Sequence, residues 1–116
     1  MKVVAKHVFG SLYDCDEEIL KNEEMLIEIV KKSAEIANSK LISIYSYKFD
    51  GGGGVSVIAI VAESHISIHT YPEYRYALVD VFTCGSHTEP EKAFDYIVKE
   101  LKAKSVSKKI ENRSFE

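Results

Sequence analysis

The spacing of apolar residues changes period several times along the chain, and each change marks an element. Val3, Val4, Val8, Phe9, Leu12 and Tyr13 predict a first strand within 2–13, with Lys6, His7 and Gly10 interrupting its alternation. Between Asp16 and Lys40 the set Leu26, Ile29, Val30, Ser33 and Ala37 falls at helical spacing, opposite Glu24, Glu28, Lys31, Lys32 and Glu35, which predicts one amphipathic helix. Period two returns at 41–49, where Leu41, Ser43, Tyr45, Tyr47 and Phe49 alternate with Ile42, Ile44, Ser46 and Lys48, a strand with one aromatic-rich face. The glycines Gly51 to Gly54 suit neither helix nor strand, so Val55 to Val61 is predicted as the return strand of a hairpin. Tyr76 to Phe82 reads as a further strand. Thr88-Glu89-Pro90-Glu91 has the spacing of a capping box, opening a second helix with the stripe Ala93, Phe94, Ile97, Val98 and Leu101. Val106 to Ile110 closes the pattern as an edge strand. The order βαββββαβ predicts an α+β two-layer sandwich: an antiparallel sheet with two helices on one face and the other face left for a ligand or partner.

Composition narrows the classes of function. A chain of 116 residues, 46% hydrophobic and 28% charged, is expected to form one domain over 1–116 and is not a disordered one. A net charge of −3 without a run of Lys/Arg argues against a nucleic-acid partner. The apolar run Val55 to Ala62 is far short of a bilayer span, and the N-terminus has no basic-then-apolar leader, so no membrane partner and a cytoplasmic location are expected. Cys15 and Cys84 are too few for a disulfide framework and lack C-x-x-C spacing, which leaves them as free thiols.

Candidate chemistry concentrates in Glu63-Ser64-His65-Ile66-Ser67-Ile68-His69-Thr70-Tyr71-Pro72-Glu73. In an extended segment His65, Ser67 and His69 share one face, and Ser64, Ile66, Ile68 and Thr70 the other. The plain structural reading is a half-buried edge strand. A metal site built on His65 and His69 would lack recognised ligand spacing, so no metal is expected. A Ser/His hydrolase would need a Gly-x-Ser-x-Gly elbow, absent around Ser64, and the glycine loop lacks the Gly-Lys-Ser/Thr ending of a phosphate-binding loop.

Two blocks, Glu63-Ser64-His65 with His69-Thr70-Tyr71-Pro72-Glu73, and Asp80-Val81-Phe82-Thr83-Cys84-Gly85, resemble the prokaryotic S-adenosylmethionine decarboxylase family. The likeness extends to Lys6-His7, Tyr13-Asp14-Cys15-Asp16 and Val55-Ser56. It implies an inactive precursor that cleaves itself between Glu63 and Ser64 into a β chain, 1–63, and an α chain, 64–116, whose first residue becomes a covalent pyruvoyl cofactor derived from Ser64. A serine hydroxyl can attack the preceding carbonyl and turn the amide into an ester, which base-promoted elimination then opens. By the same resemblance His69 is the processing base, Ser56 supports processing at the scissile carbonyl, the pyruvoyl group holds the substrate's amine as a Schiff base, and Cys84 is the proton donor after decarboxylation. Phe49, Tyr71 and Glu73 are the substrate-binding candidates, two aromatic faces and a carboxylate for the adenosyl part. His7 and His65 are read as cavity-lining or structural histidines, and Cys15 as packing.

The implied function is decarboxylation of S-adenosylmethionine to an aminopropyl donor for spermidine and other polyamines, by a homodimer of cleaved protomers that share two sites at their interface. Tyr71 stands where the family commonly has Trp, Arg75 where it has Gly, and the glycine loop is about one residue longer. Because these differences lie near the substrate, a pyruvoyl-dependent arginine decarboxylase making agmatine is the enzymatic alternative, and an unprocessed ligand-binding module the non-enzymatic one.

Overall fold

The computed structural model describes residues 2–62 and 64–116. Its elements are β1 (Ala5–Tyr13), α1 (Glu17–Lys21), α2 (Glu23–Ile36), β2 (Leu41–Lys48), β3 (Val55–Val61), β4 (Ser64–Tyr71), a 3-10 turn (Pro72–Tyr74), β5 (Tyr76–Cys84), α3 (Pro90–Glu100) and β6 (Ser105–Asn112). The six strands form one sheet in the order β2-β3-β4-β5-β1-β6, every neighbouring pair antiparallel. The predicted α+β sandwich is the fold found. One placement is corrected: β4 lies inside the sheet between β3 and β5, so the segment with the candidate chemistry is not an edge strand.

The helix predicted between Asp16 and Lys40 is two helices. Asp16 caps α1, its carboxylate accepting from the Glu18 and Ile19 amides, and Asn22 then caps α2 by accepting from the Met25 amide. Asn22 holds an extended backbone (φ −92°, ψ 94°), which breaks the helical path, and acidic pairs follow both caps where the helix dipole favours them. Helix α2 ends at Ala37, after which Asn38 takes a left-handed conformation (φ 58°). At α3 the capping-box reading fails. Glu89 is the N-cap without a side-chain hydrogen bond, whereas Thr88 is buried and its hydroxyl reaches Thr83 Oγ1 and the Gly85 carbonyl.

The core lies between the sheet and the helices. Val8 and Leu12, Val55 to Val61 at alternate positions, Ile66 and Ile68, and Ala77, Val79 and Val81 pack against Leu26, Ile29, Val30, Phe94 and Ile97. Helix α2 covers β2, β3 and β4, and α3 covers β5 and β1. Strand alternation turns the other residues outward: His65, Ser67, His69 and Tyr71 on β4, and Tyr76, Leu78, Asp80 and Phe82 on β5. Ile58, Ile60, Tyr45 and Tyr47 extend this open face as exposed apolar side chains. A β-bulge between Leu41 and Ser43 leaves Ile42 exposed and lets Ile44 pack on the core.

Candidate active site

The predicted site residues fall into two groups, one at each end of β4. At its start, Ser64 pairs across the sheet with Val61, and its hydroxyl accepts a hydrogen bond from the Cys84 amide at 3.0 Å. The two predicted reacting residues are thereby neighbours, brought together by the β4–β5 pairing. The other residue of the predicted cleavage bond, Glu63, lies outside the described residues. Cys84 is half-buried and borders a cavity of about 600 Å³ lined also by Lys40, Ala62, Gly85 and His87.

At the far end, His69 pairs in register with Ser56 on β3, and Ser56 Oγ lies 2.8 Å from His69 Nδ1. The Ser56 contact engages Nδ1; when Nδ1 carries the proton it donates to Oγ and leaves the lone pair on Nε2. Phe49, Gly52, Ser56, His69, Tyr71 and Glu73 line one cavity of about 410 Å³, so all three predicted substrate-binding residues meet here. The glycine loop brings Phe49 to this place: the Phe49 amide donates to the Gly54 carbonyl at 2.8 Å, closing the hairpin.

Within one chain the two groups do not meet. Ser64 and His69 are five residues apart on an extended strand, roughly 16 Å at the usual rise per residue, and the odd spacing puts them on opposite faces.

The remaining histidines have other surroundings. His7 Nε2 is 2.9 Å from Asp80 Oδ1, and its ring meets Phe82 edge-on. His65 is exposed beside the same Phe82. Among the described residues no group of three His, Cys, Asp or Glu is placed to hold a metal ion.

Arg75 explains itself. It adopts a left-handed backbone (φ 52°), the conformation for which glycine is the least costly residue, and its Nε donates to the Cys15 carbonyl at 2.9 Å. Its guanidinium is thus engaged away from the Phe49–Glu73 cavity. Cys15 is fully buried, and burial, reinforced by the Asp14 carboxylate and opposed by Arg75, pushes its thiol up to about 11.

Two residues of the motif blocks were given no role from the sequence. Asp80 was detectable, because β5 alternation places it on the open face facing β1. Thr70 was not: its buried hydroxyl accepts from the Val55 amide and donates to the Leu20 carbonyl, tying β3, β4 and α1 together behind His69, and no spacing rule reports that.

Comparison with known proteins places nearly the whole chain in one family. The family model described as S-adenosylmethionine decarboxylase matches residues 6–114. The chain belongs to the S-adenosylmethionine decarboxylase family. S-adenosylmethionine decarboxylase proenzymes of Pyrobaculum islandicum and Sulfurisphaera tokodaii are similar to it, at 55% identity over 97% of this chain and 90% of the relative, and at 56% over 99% and 93%. The crystal structure of the adenosylmethionine decarboxylase from Aquifex aeolicus superimposes with a TM-score of 0.89 at 32% identity, covering all of this chain and 95% of the other. The family's fold is therefore shared over essentially the whole length. No helix among the described residues is long and apolar enough to cross a membrane.

Proposed function

We propose that this chain is the precursor of a pyruvoyl-dependent S-adenosylmethionine decarboxylase that acts in the cytoplasm as a homodimer and supplies an aminopropyl donor for polyamine synthesis. Family membership over residues 6–114 carries the reading, and the placement of Ser64, Cys84, Ser56 and His69 supports it.

Processing follows from the side chains present. Ser64 Oγ attacks the carbonyl carbon of residue 63, the C–N bond breaks as the C–O bond forms, and the chain is joined through an ester. His69 Nε2 then takes the Ser64 α-proton, the carboxylate of residue 63 leaves as the terminus of the β chain (1–63), and hydrolysis with loss of ammonia leaves a ketone at residue 64 of the α chain (64–116). These residues fit the making of that group: a hydroxyl held by the Cys84 amide, and an imidazole whose other nitrogen is engaged by Ser56. A pyruvoyl group formed at residue 64, beside Cys84, would supply a ketone for the substrate's α-amine and a sink for the electron pair left when carbon dioxide departs. Cys84 Sγ–H supplies the proton to the carbon that lost its carboxylate and regains one from water. Phe49 and Tyr71 stack the adenine and sulfonium portion, and Glu73 accepts from the ribose hydroxyls.

Since Ser64 and His69 cannot reach one another within a chain, the His69, Ser56, Phe49, Tyr71 and Glu73 of each active site come from the second protomer. The open sheet face, with exposed Tyr45, Tyr47, Ile58 and Ile60, is the surface on which two copies stack. Mass spectrometry of the purified protein tests the processing: fragments 1–63 and 64–116 are expected, the second without a free amine. Release of labelled carbon dioxide from carboxyl-labelled S-adenosylmethionine, and not from arginine, tests the substrate. An intact chain that still decarboxylates, or a preference for arginine, would overturn these assignments.

A further inference from the structure

The four glycines between Phe49 and Val55 are not equivalent. Gly51 and Gly53 have φ of +75° and +78°, a backbone that side chains strain. Gly54 is outside that region, but a β-carbon there would stand 2.7 Å from the Thr70 carbonyl oxygen, which belongs to the fixed backbone of β4. Gly52 is also outside it and has neither constraint. The atoms nearest a β-carbon built on Gly52 all belong to the Glu73 carboxylate: it collides with Oε2 and stands 2.9 Å from Cδ.

That contact is with the free end of a flexible side chain. An alanine at 52 would fit by moving the carboxylate aside, leaving the backbone as it is, so conformation and packing give no reason for glycine here. Among the described residues Glu73 makes no side-chain hydrogen bond and no ion pair that would hold its carboxylate elsewhere. Glu73 also stands in the 3-10 turn just before Arg75, whose left-handed backbone and hydrogen bonds to Cys15 anchor that turn from below. The carboxylate is therefore seated against bare loop backbone, at the wall of the cavity that also holds Phe49 and Tyr71.

We infer that Gly52 is a specificity-determining residue: it stays without a side chain so that the Glu73 carboxylate can lie against the loop, where it accepts from the two neighbouring hydroxyls of the substrate's ribose. This rests on the functional reading above and adds to it the loop position that sets where the carboxylate stands. Gly52 acts through Glu73 and is a positioning residue.

Gly52→Ala is expected to cleave itself at the wild-type rate, since processing uses Ser64, Ser56 and His69. With S-adenosylmethionine it should raise KM about tenfold or more, as expected for loss of a hydrogen bond to a charged group, with a much smaller change in kcat. Glu73→Gln should raise KM similarly, and Gly52→Ala with Glu73→Gln combined should be no worse than Glu73→Gln alone. Wild-type protein that releases no carbon dioxide from S-adenosylmethionine would overturn the functional reading together with this inference. With an active wild type, this inference alone is overturned by an unchanged KM in Gly52→Ala, by failure of that variant to cleave, or by effects of the two substitutions that multiply.

Discussion

Ser64 and His69 occupy the two ends and the two faces of the same strand, although the chemistry of self-cleavage needs them in contact. A strand cannot fold back on itself within five residues, so in the proposed mechanism the contact is made between chains. In that mechanism the dimer is a condition of maturation as well as of turnover, and a monomer in isolation is expected to remain a precursor.

Mixed dimers test this directly. Ser64→Ala alone and His69→Ala alone should each remain uncleaved. Co-expression of the two should give cleavage of the His69→Ala chain, whose Ser64 faces the His69 of the partner, while the Ser64→Ala chain stays intact. Tagged chains of different mass separate the products on a gel or by mass spectrometry. Complete absence of cleavage in the mixture would place both residues in one chain's site and remove the geometric case for a shared one.

In the proposed mechanism Cys84 divides processing from turnover. Its backbone amide holds Ser64 Oγ at 3.0 Å, and this contact survives substitution of the side chain. Cys84→Ser is therefore expected to cleave at near wild-type rate, while decarboxylation falls by about a hundredfold or more, since a hydroxyl is a far weaker proton donor than a thiol at neutral pH. Single-turnover measurements on the cleaved variant read the second effect without the first.

Much of what depends on period and on motif was legible in the sequence. Alternation alone separates His65, Ser67 and His69 from Ser64, Ile66 and Ile68 on β4, and the helical stripe from Leu26 to Ala37 is buried as expected. What it concealed arises from contacts between distant segments. Nothing local in Ser64 to Tyr71 reveals that β1 and β5 enter the sheet beside it and make it an interior strand. The break at Asn22 lies in the polar run Lys21-Asn22-Glu23-Glu24, ahead of the stripe that begins at Leu26, and Thr88 takes a buried partner instead of its helix end because Thr83 lies beneath it. Arg75 shows the same limit: as a glycine replacement it suggested a charge near the substrate, whereas its guanidinium is spent on the Cys15 carbonyl.

Thr70 should matter to stability out of proportion to its size. Its hydroxyl serves the Val55 amide and the Leu20 carbonyl in a buried position, and Thr70→Val leaves both without a partner in a side chain of the same shape. Each unsatisfied buried group costs about 1–3 kcal/mol, so a loss of roughly 2–6 kcal/mol is expected in denaturant unfolding of the unprocessed Ser64→Ala background, with Thr70→Ser recovering most of it. A loss under about 0.5 kcal/mol would show that water or a local shift replaces both bonds.

The two thiols should respond differently to alkylation and to alkali. Cys84 borders an open cavity, whereas Cys15 is fully buried with its thiol pushed up to about 11 from an ordinary value of 9.0, by burial first and then by Asp14. Iodoacetamide at pH 8 should label Cys84 in the native protein and reach Cys15 only after unfolding, as peptide mapping would show. For Cys15 the native state keeps its proton up to about pH 11 while the unfolded chain releases it near pH 9, so the native state binds more protons across that window. Stability is then complete below pH 9 and is lost as the pH rises toward 11. Tyrosines and lysines titrate in the same range, so the measurement is the difference between the parent and Cys15→Ala. The variant is less stable at pH 8 because of the cavity it opens, but it should lose stability less steeply above pH 9, and parallel slopes would show that Cys15 stays protonated in both states or titrates equally in each.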